Sequence, residues 1–520
     1  MPNNSDEGEI IAGLLGDAEA ALARGNIAKA SAIYHGIQTI DPNHAVALRQ
    51  LGAIAVTQGD AAAALELFNS AIRANPSDPD PYHGVGTALR LMGQIDEAIL
   101  AMEGALCVDP DHAPALFDRA LLLQQRGDMA GAADMYHRLA LRYPNHFEAV
   151  LNRGAVLFRQ DNFAAAERWF HEAARMNPQD PRPFINLAMI YRVWAALPAA
   201  IACLEHALTL DPNRAETHWN LANALLADGD YTRGFVTYEW RFRRPGMAER
   251  VLLLPRWRGE ILAGKTILLS AEQGLGDAIQ FVRFAQPLAD RGARVIVECY
   301  PGLERLFATA PGVSRVVKWG QLVDDADFTA PLMSVPHLLG TTLESLPATV
   351  PYLSVPPDIR TPSLTGEGLK VGLVWQGNPQ HATDHLRSLS LATLAPLLNV
   401  ANVRWFSLQC GAGKEAQFAS PWAGRITDLS SQLTDFAITA AVMAKLDLVI
   451  SVDTATAHLA GALGRPVWIP IHRGNDWRWL HGRDDSPWYP TARLFRQQPP
   501  RRWEPVIEAM AAALTELAAR

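Results

Sequence analysis

Along the first 240 positions, small and large apolar residues return at fixed distances from one another. A small residue stands at Ala30, Ala64, Ala98, Ala132, Ala166, Ala200 and Gly234. Four positions later a large apolar one follows, at Tyr34, Phe68, Met102, Tyr136, Phe170, Leu204 and Tyr238. Proline recurs at Pro42, Pro76, Pro110, Pro144, Pro178 and Pro212. A turn column runs through Gly25, Gly59, Gly93, Gly127 and Gly229, with Asp161 and Ala195 in place of two glycines. All four columns share a period of 34 residues, which predicts a helix–turn–helix unit repeated six to seven times over residues 1–240. Glycine ends the first helix, the small residue lets the pair approach, the large one fills the gap, and proline stops the second helix. Stacked units of this kind form a solenoid whose concave face takes an extended peptide or a partner protein; a spacer or a homo-oligomer surface is the other use.

After Gly246 the rhythm gives way to short apolar runs separated by helical stretches. Strands are predicted at 266–270, 294–299, 314–319, 370–375, 403–408, 448–452 and 467–471, with helices over 277–292 and 435–447 between them. Such alternation predicts doubly wound parallel sheets. The Pro-, Gly- and Ser-rich stretch SVPPDIRTPSLTGEG (354–368) reads as a linker between two Rossmann-like lobes, 247–360 and 366–500. A terminal amphipathic helix within 501–520 is expected to pack back across a lobe. The fold class is thus α + α/β.

Composition narrows the function. A formal net charge of −8 and a sequence pI near 6.0 give no global basic surface, so nucleic acid is not expected as a partner. The four cysteines form no CxxC pair, which argues against a zinc site or a disulfide framework. MPNNSDEGEI is polar and acidic where a secretory signal is basic and then apolar. No run approaches the ~20 apolar residues of a membrane span. A cytoplasmic location is expected.

Two segments carry candidate chemistry. AEQGLGDAIQFVR follows the first predicted strand and opens a helix, so Gly274 and Gly276 sit where a ligand approaches a strand-to-helix turn. Asp277 stands at that helix start, placed either to cap it or to take a proton from an acceptor hydroxyl. SVDTATAHLAGALGRP puts Asp453, Thr454, Ala455 and His458 at the end of a buried strand, where a helix N-terminus can hold phosphate. WQGNPQHATDHLRSLSL adds Asn378, Arg387 and Ser388 after another strand, and Gln409 holds the corresponding place after a third. GNDWRWLHGRDDSPWYP offers aromatic rings and arginines, to stack on a base or sugar or to close the hinge between lobes. GEILAGKT matches a phosphate-loop pattern but runs into a strand instead of a helix, so it is set aside. The DAD at 325–327 reads as a strand start, and no metal is expected.

GLGDAIQF and SVDTATAHLAGALGRP together resemble the heptosyltransferase-like glycosyltransferases of family 9, and the 34-residue array resembles tetratricopeptide repeats. The whole chain is similar to bacterial proteins that fuse the two, some of them implicated in glycosylating flagellin or other proteins. The resemblance implies a GT-B pair of lobes and a nucleotide-sugar donor, with no further cofactor. It also implies a catalytic base at Asp277 and a donor site around Asp453, Thr454, Ala455 and His458. Arg387 stands where family members often carry lysine. Two other classes stay open: a catalytically degenerate repeat scaffold, and a glycan-directed transferase that uses its repeats only for assembly.

Overall fold

The structure, a computed structural model, describes residues 4–247, 250, 253–360, 363–381, 383–411, 415, 419–474, 476–498 and 502–520, with side chains from residue 7 on. Residues 361–362 of the expected linker, and Asn475 and Ala382 within the polar segments, lie outside that set.

The helices of the array follow one another in antiparallel pairs: α1 (Asn4–Ala23) and α2 (Ile27–Ile40), α3 (Ala45–Thr57) and α4 (Ala61–Ala74), α5 (Pro79–Leu91) and α6 (Ile95–Val108). Then come α7 (Ala113–Arg126) and α8 (Met129–Arg142), α9 (Phe147–Arg159) and α10 (Phe163–Met176), α11 (Arg182–Val193) and α12 (Leu197–Leu210), α13 (Ala215–Asp228) and α14 (Tyr231–Tyr238). The six alanines of the small-residue column have no exposed surface, and every member of the large-residue column is buried. All seven turn positions adopt positive φ, including Asp161 at 59° and Ala195 at 58°. A further column, Gly52, Gly86, Ala120, Gly154, Ala188 and Ala222, was not read from the sequence. A Cβ on Gly154 would lie 2.5 Å from the Phe170 ring, so small residues there make room for the large column.

Two compact units divide the chain between Ile190 and Tyr191, well before position 240, where the periodicity stops. The first unit contains the repeats through most of α11. The second contains α12 to α14 together with the α/β region, and its core explains the division. Tyr231, Phe235 and Tyr238 are each at most 2% exposed and pack with Phe281, Trp477 and Trp488. Trp488 Nε1 donates to the Tyr231 hydroxyl at 2.8 Å. The last repeat helices are therefore core elements of the α/β unit.

That unit holds two all-parallel sheets. The first has strand order β3 (Val313–Lys318), β2 (Arg294–Cys299), β1 (Thr266–Ser270), β4 (Phe328–Pro331). The second runs β10 (Ala492–Arg496), β9 (Val467–Ile471), β8 (Leu448–Ser451), β5 (Leu369–Val374), β6 (Val403–Ser407), β7 (Ile426–Asp428). Renumbered from β5, the second sheet reads 3-2-1-4-5-6 in reverse, the doubly wound order of dinucleotide-binding folds. β8 and β9 are buried along their whole length, as expected of strands covered on both faces. The helix Glu504–Ala518 packs Val506, Ile507, Met510 and Leu514 onto the second sheet. Lys265 of GEILAGKT pairs with Asp327, the residue before β4, and a strand follows Lys265 directly, so no phosphate loop forms there.

Candidate functional site

In open α/β sheets a ligand crevice forms where strand order reverses, at the carboxyl ends of the strands. In the second lobe that point lies between β5 and β8, and the loops leaving these two strands carry two of the predicted segments. Asp384, buried at 4% exposure, accepts from Arg387 Nε at 3.0 Å and from Ser388 Oγ at 2.7 Å. Ser388 Oγ accepts Gly377 N–H at 2.9 Å. Arg387 then reaches across the switch point and donates through Nη1 to the Asp453 carbonyl at 2.7 Å. Gln409 is spent in the same way: its Oε1 accepts the Trp375 and Gln376 N–H groups at 3.1 Å each. A crevice floor of backbone is thereby fixed by side chains that look, in sequence, like ligand contacts.

The helix Ala455–Ala462 starts at this floor. Thr454 is its N-cap residue, yet its hydroxyl exchanges a hydrogen bond with Ser451 Oγ at 3.1 Å and makes no capping bond. The Ala455 and Thr456 N–H groups take no acceptor among the described residues. The helix end thus presents open donors and the positive end of its dipole.

Opposite stands the first lobe's α15 (Leu275–Phe281), which follows β1. Asp277 caps it, with Oδ2 accepting Gly274 N–H at 2.8 Å. Its Oδ1 accepts from Arg478 Nη2 at 2.5 Å, a bond between the lobes. Burial raises the Asp277 pKa, with the Arg478 cation opposing. Gly276 explains the second glycine of GLGD: a Cβ there would lie 2.9 Å from His458 Cδ2 and 3.4 Å from Ala455 Cα. Two helix N-termini, one from each lobe, meet at this glycine.

His458 is buried, with Nδ1 3.0 Å from the Tyr489 hydroxyl and its ring stacked on Trp479. Burial, then the Arg478 cation, lower its pKa to about 3, so it is neutral. Asp453 shifts the other way, up to about 6, through burial and the nearby Asp476 carboxylate, against the pull of Arg387.

A cavity of about 910 Å³ lies between these parts. Of the predicted residues, Gly274, Gly276 and Asp277 line its first-lobe side, and Asn378, Arg387 and Gln409 line the second-lobe loops. Asp453, Thr454, Ala455 and His458 complete that side, whereas Ser388 is not on the wall and acts only through Asp384 and Gly377. The aromatic segment lies at the junction: Trp477, Trp479, Trp488 and Tyr489 are all buried, and Trp477 and Arg478 also line the cavity. Arg478, one of the arginines expected either to meet phosphate or to close the hinge, is held by Asp277, by Asp476 at 2.8 and 3.0 Å, and by Gln280 at 2.7 Å. Sequence reasoning did not find Trp219, Asn223 and Tyr238 of the last repeat, which also line the cavity. Tyr238 belongs to the large-residue column, and no local motif marks Trp219 or Asn223. No three His, Cys, Asp or Glu side chains cluster as metal ligands among the described residues, and no described helix is long and apolar enough to cross a membrane.

Comparison with known proteins agrees with the two-part reading. Tetratricopeptide repeat models match residues 21–89, 86–136, 117–181 and 197–239. The model of glycosyltransferase family 9 (heptosyltransferase) matches residues 413–471, which span the helix Ala455–Ala462. Protein FlbA of Caulobacter vibrioides is 26% identical over 96% of this chain and 84% of its own length. Among solved structures, Pseudomonas aeruginosa pilF is 18% identical over 41% of this chain and 96% of that one, with a TM-score of 0.37. A tetratricopeptide repeat protein from Parabacteroides merdae is 19% identical over 44% and 91%, with a TM-score of 0.35. The family models and the FlbA match thus support a tetratricopeptide-repeat array fused to a glycosyltransferase family 9 domain.

Proposed function

We propose that this protein moves a sugar from a nucleotide-sugar to a hydroxyl of a protein acceptor, without a metal or a further cofactor. The observation that carries the reading is the uncapped N-terminus of the helix Ala455–Ala462, open to the cavity and facing Asp277. The donor diphosphate docks on the Ala455 and Thr456 N–H groups, with Arg387 supplying cationic charge at the same crevice. The acceptor oxygen attacks the anomeric carbon and its proton passes to Asp277, while the bond from that carbon to the diphosphate breaks and the nucleoside diphosphate leaves. Arg478 and the Gly274 N–H hold the Asp277 carboxylate in orientation. The repeat array selects the acceptor protein.

Two substitutions test the donor and base roles separately. Ala455→Pro deletes one open N–H at the first helical position, where proline is well tolerated, and Thr454 before it is already extended. Calorimetry with a panel of nucleoside diphosphates should show affinity reduced about tenfold, with an unchanged fold by circular dichroism. Asp277→Asn keeps the cap acceptor for Gly274 but removes the basicity, so turnover should fall about 10²-fold or more with donor affinity retained. Failure of the unaltered protein to bind any nucleotide or nucleotide-sugar leaves the degenerate scaffold as the better reading.

A further inference from the structure

The cavity has a third wall that comes from neither lobe. Trp219 and Asn223 stand one helical turn apart on α13, the first helix of the final repeat, and both line the cavity. The wall is firmly held. Tyr238 exchanges hydrogen bonds with the Gln273 amide at 3.1 and 2.9 Å, directly before the GLGD turn. Arg241, with no exposed surface, pairs with both carboxylate oxygens of Glu272 at 2.9 and 2.8 Å. The repeat end and the loop that carries Asp277 therefore form one braced surface.

The chemistry of that surface is specific. Asn223 Nδ2 donates to the Trp219 carbonyl at 2.7 Å, which leaves its Oδ1 without a partner among the described residues. Trp219 Nε1 likewise has no acceptor among them. The Trp219 ring itself is already engaged, by the Arg244 guanidinium 4.5 Å from its centroid and by Tyr238 at 4.9 Å. What the helix offers is one N–H donor and one C=O acceptor, not a bare aromatic platform. A donor and an acceptor together match the C=O and N–H of a peptide unit.

We infer that α13 is the acceptor wall of the transfer site and that it fits the backbone of an extended polypeptide, whose hydroxyl side chain is thereby directed to Asp277. This rests on the transferase reading above and gives the last repeat a place in the reaction itself, beyond selecting a partner at a distance. A glycan acceptor would meet the same two atoms through hydroxyls, and the products measured below distinguish the two.

The test compares the unaltered full chain with Trp219→Phe, which keeps a ring but loses the N–H, and Asn223→Leu, which loses the free oxygen. Intact-mass measurement of proteins from the producing cells, with and without the gene, identifies the gene-dependent sugar additions. Calorimetry of the purified variants with nucleoside diphosphates reads the donor side. The inference expects both variants to lose at least about tenfold of the protein-linked additions, with nucleotide affinity within about twofold of the unaltered chain. It is overturned if additions persist at full level in both variants, or if the gene-dependent products are glycans with proteins unmodified. An unaltered chain that binds no nucleotide overturns the transferase reading, and this inference with it; loss of nucleotide affinity in both variants assigns the wall to the donor and overturns the inference alone. Should Trp219→Phe fold poorly by thermal melting, Asn223→Leu decides the question.

Discussion

Asp453 and His458 lie five positions apart, and their side chains approach to 3.9 Å, yet burial drives their pKa values in opposite directions. Asp453 rises from its ordinary 3.8 to about 6, so its share of folding stability is present at low pH and is lost as pH rises through 6. His458 falls from 6.5 to about 3, so the unfolded chain binds the extra proton and stability is lost as pH drops below 6.5. The two effects oppose each other between about pH 4 and 6, which makes ligand affinity a cleaner readout than melting. Above pH 6 Asp453 is charged beside the proposed diphosphate cradle, with Asp476 of the same sign and Arg387 and Arg478 opposing. Between pH 5 and 7, nucleoside diphosphate binding should therefore weaken about tenfold more in the unaltered chain than in Asp453→Asn. Calorimetric titration of both across that range checks it; parallel curves would show that Asp453 stays in one protonation state.

At the scale of single elements, the turn column is the sharpest case of a pattern that survives substitution. Asp161 and Ala195 take the same left-handed conformation as the glycines they replace. Aspartate visits that region at modest cost, but alanine pays for its Cβ there. Ala195 is exposed, so Ala195→Gly should raise stability by about 0.5–1 kcal/mol after the extra entropy of the unfolded glycine is counted. The gain would appear as a higher urea midpoint at unchanged slope, and Asp161→Gly should gain less. The array was legible because each unit repeats one solution to one packing problem. The long strands were legible as apolar runs, β4 only by the strand start read at 325–327, and β7 and β10 not at all. FTAP is short and ends in proline, ITD is three residues long, and ARLFR carries two arginines, so none offers an apolar run of its own.

For the molecule as a whole, the covalent rhythm and the physical boundary fall in different places. The sequence marks position 240, where the periodicity ends, but the aromatic core ties α13 and α14 to the α/β body. Large-to-small changes at a buried aromatic cost about 3–5 kcal/mol each, and Tyr231, Phe235 and Tyr238 together would exhaust a typical domain's stability of about 5–15 kcal/mol. A chain starting at Tyr191 should therefore melt cooperatively in calorimetry, whereas one starting at position 247 should be insoluble or lack a transition. A soluble, cooperatively melting chain from 247 would mean that the repeat helices only decorate the α/β core. The same distinction shows what sequence could reveal of the site. GLGD and DTATAH announced themselves as local motifs after strands. Arg478 and Asp277, 201 positions apart, and the Trp219 wall are brought together only by tertiary packing, which no local pattern encodes.

The missing side chain of Gly276 acts as a spacer gauge. The attacking group and the leaving group of any single displacement must sit on opposite sides of one carbon, so the depth of the gap between their two holders is a chemical constant of the site. Here that depth is set where two helix tips touch, and the gauge is the absence of one carbon atom. Any side chain at that point would wedge the tips apart, so that Asp277 and the Ala455 N–H group would both survive but stand farther from each other. A residue with no chemistry of its own thus fixes the reach of all the others.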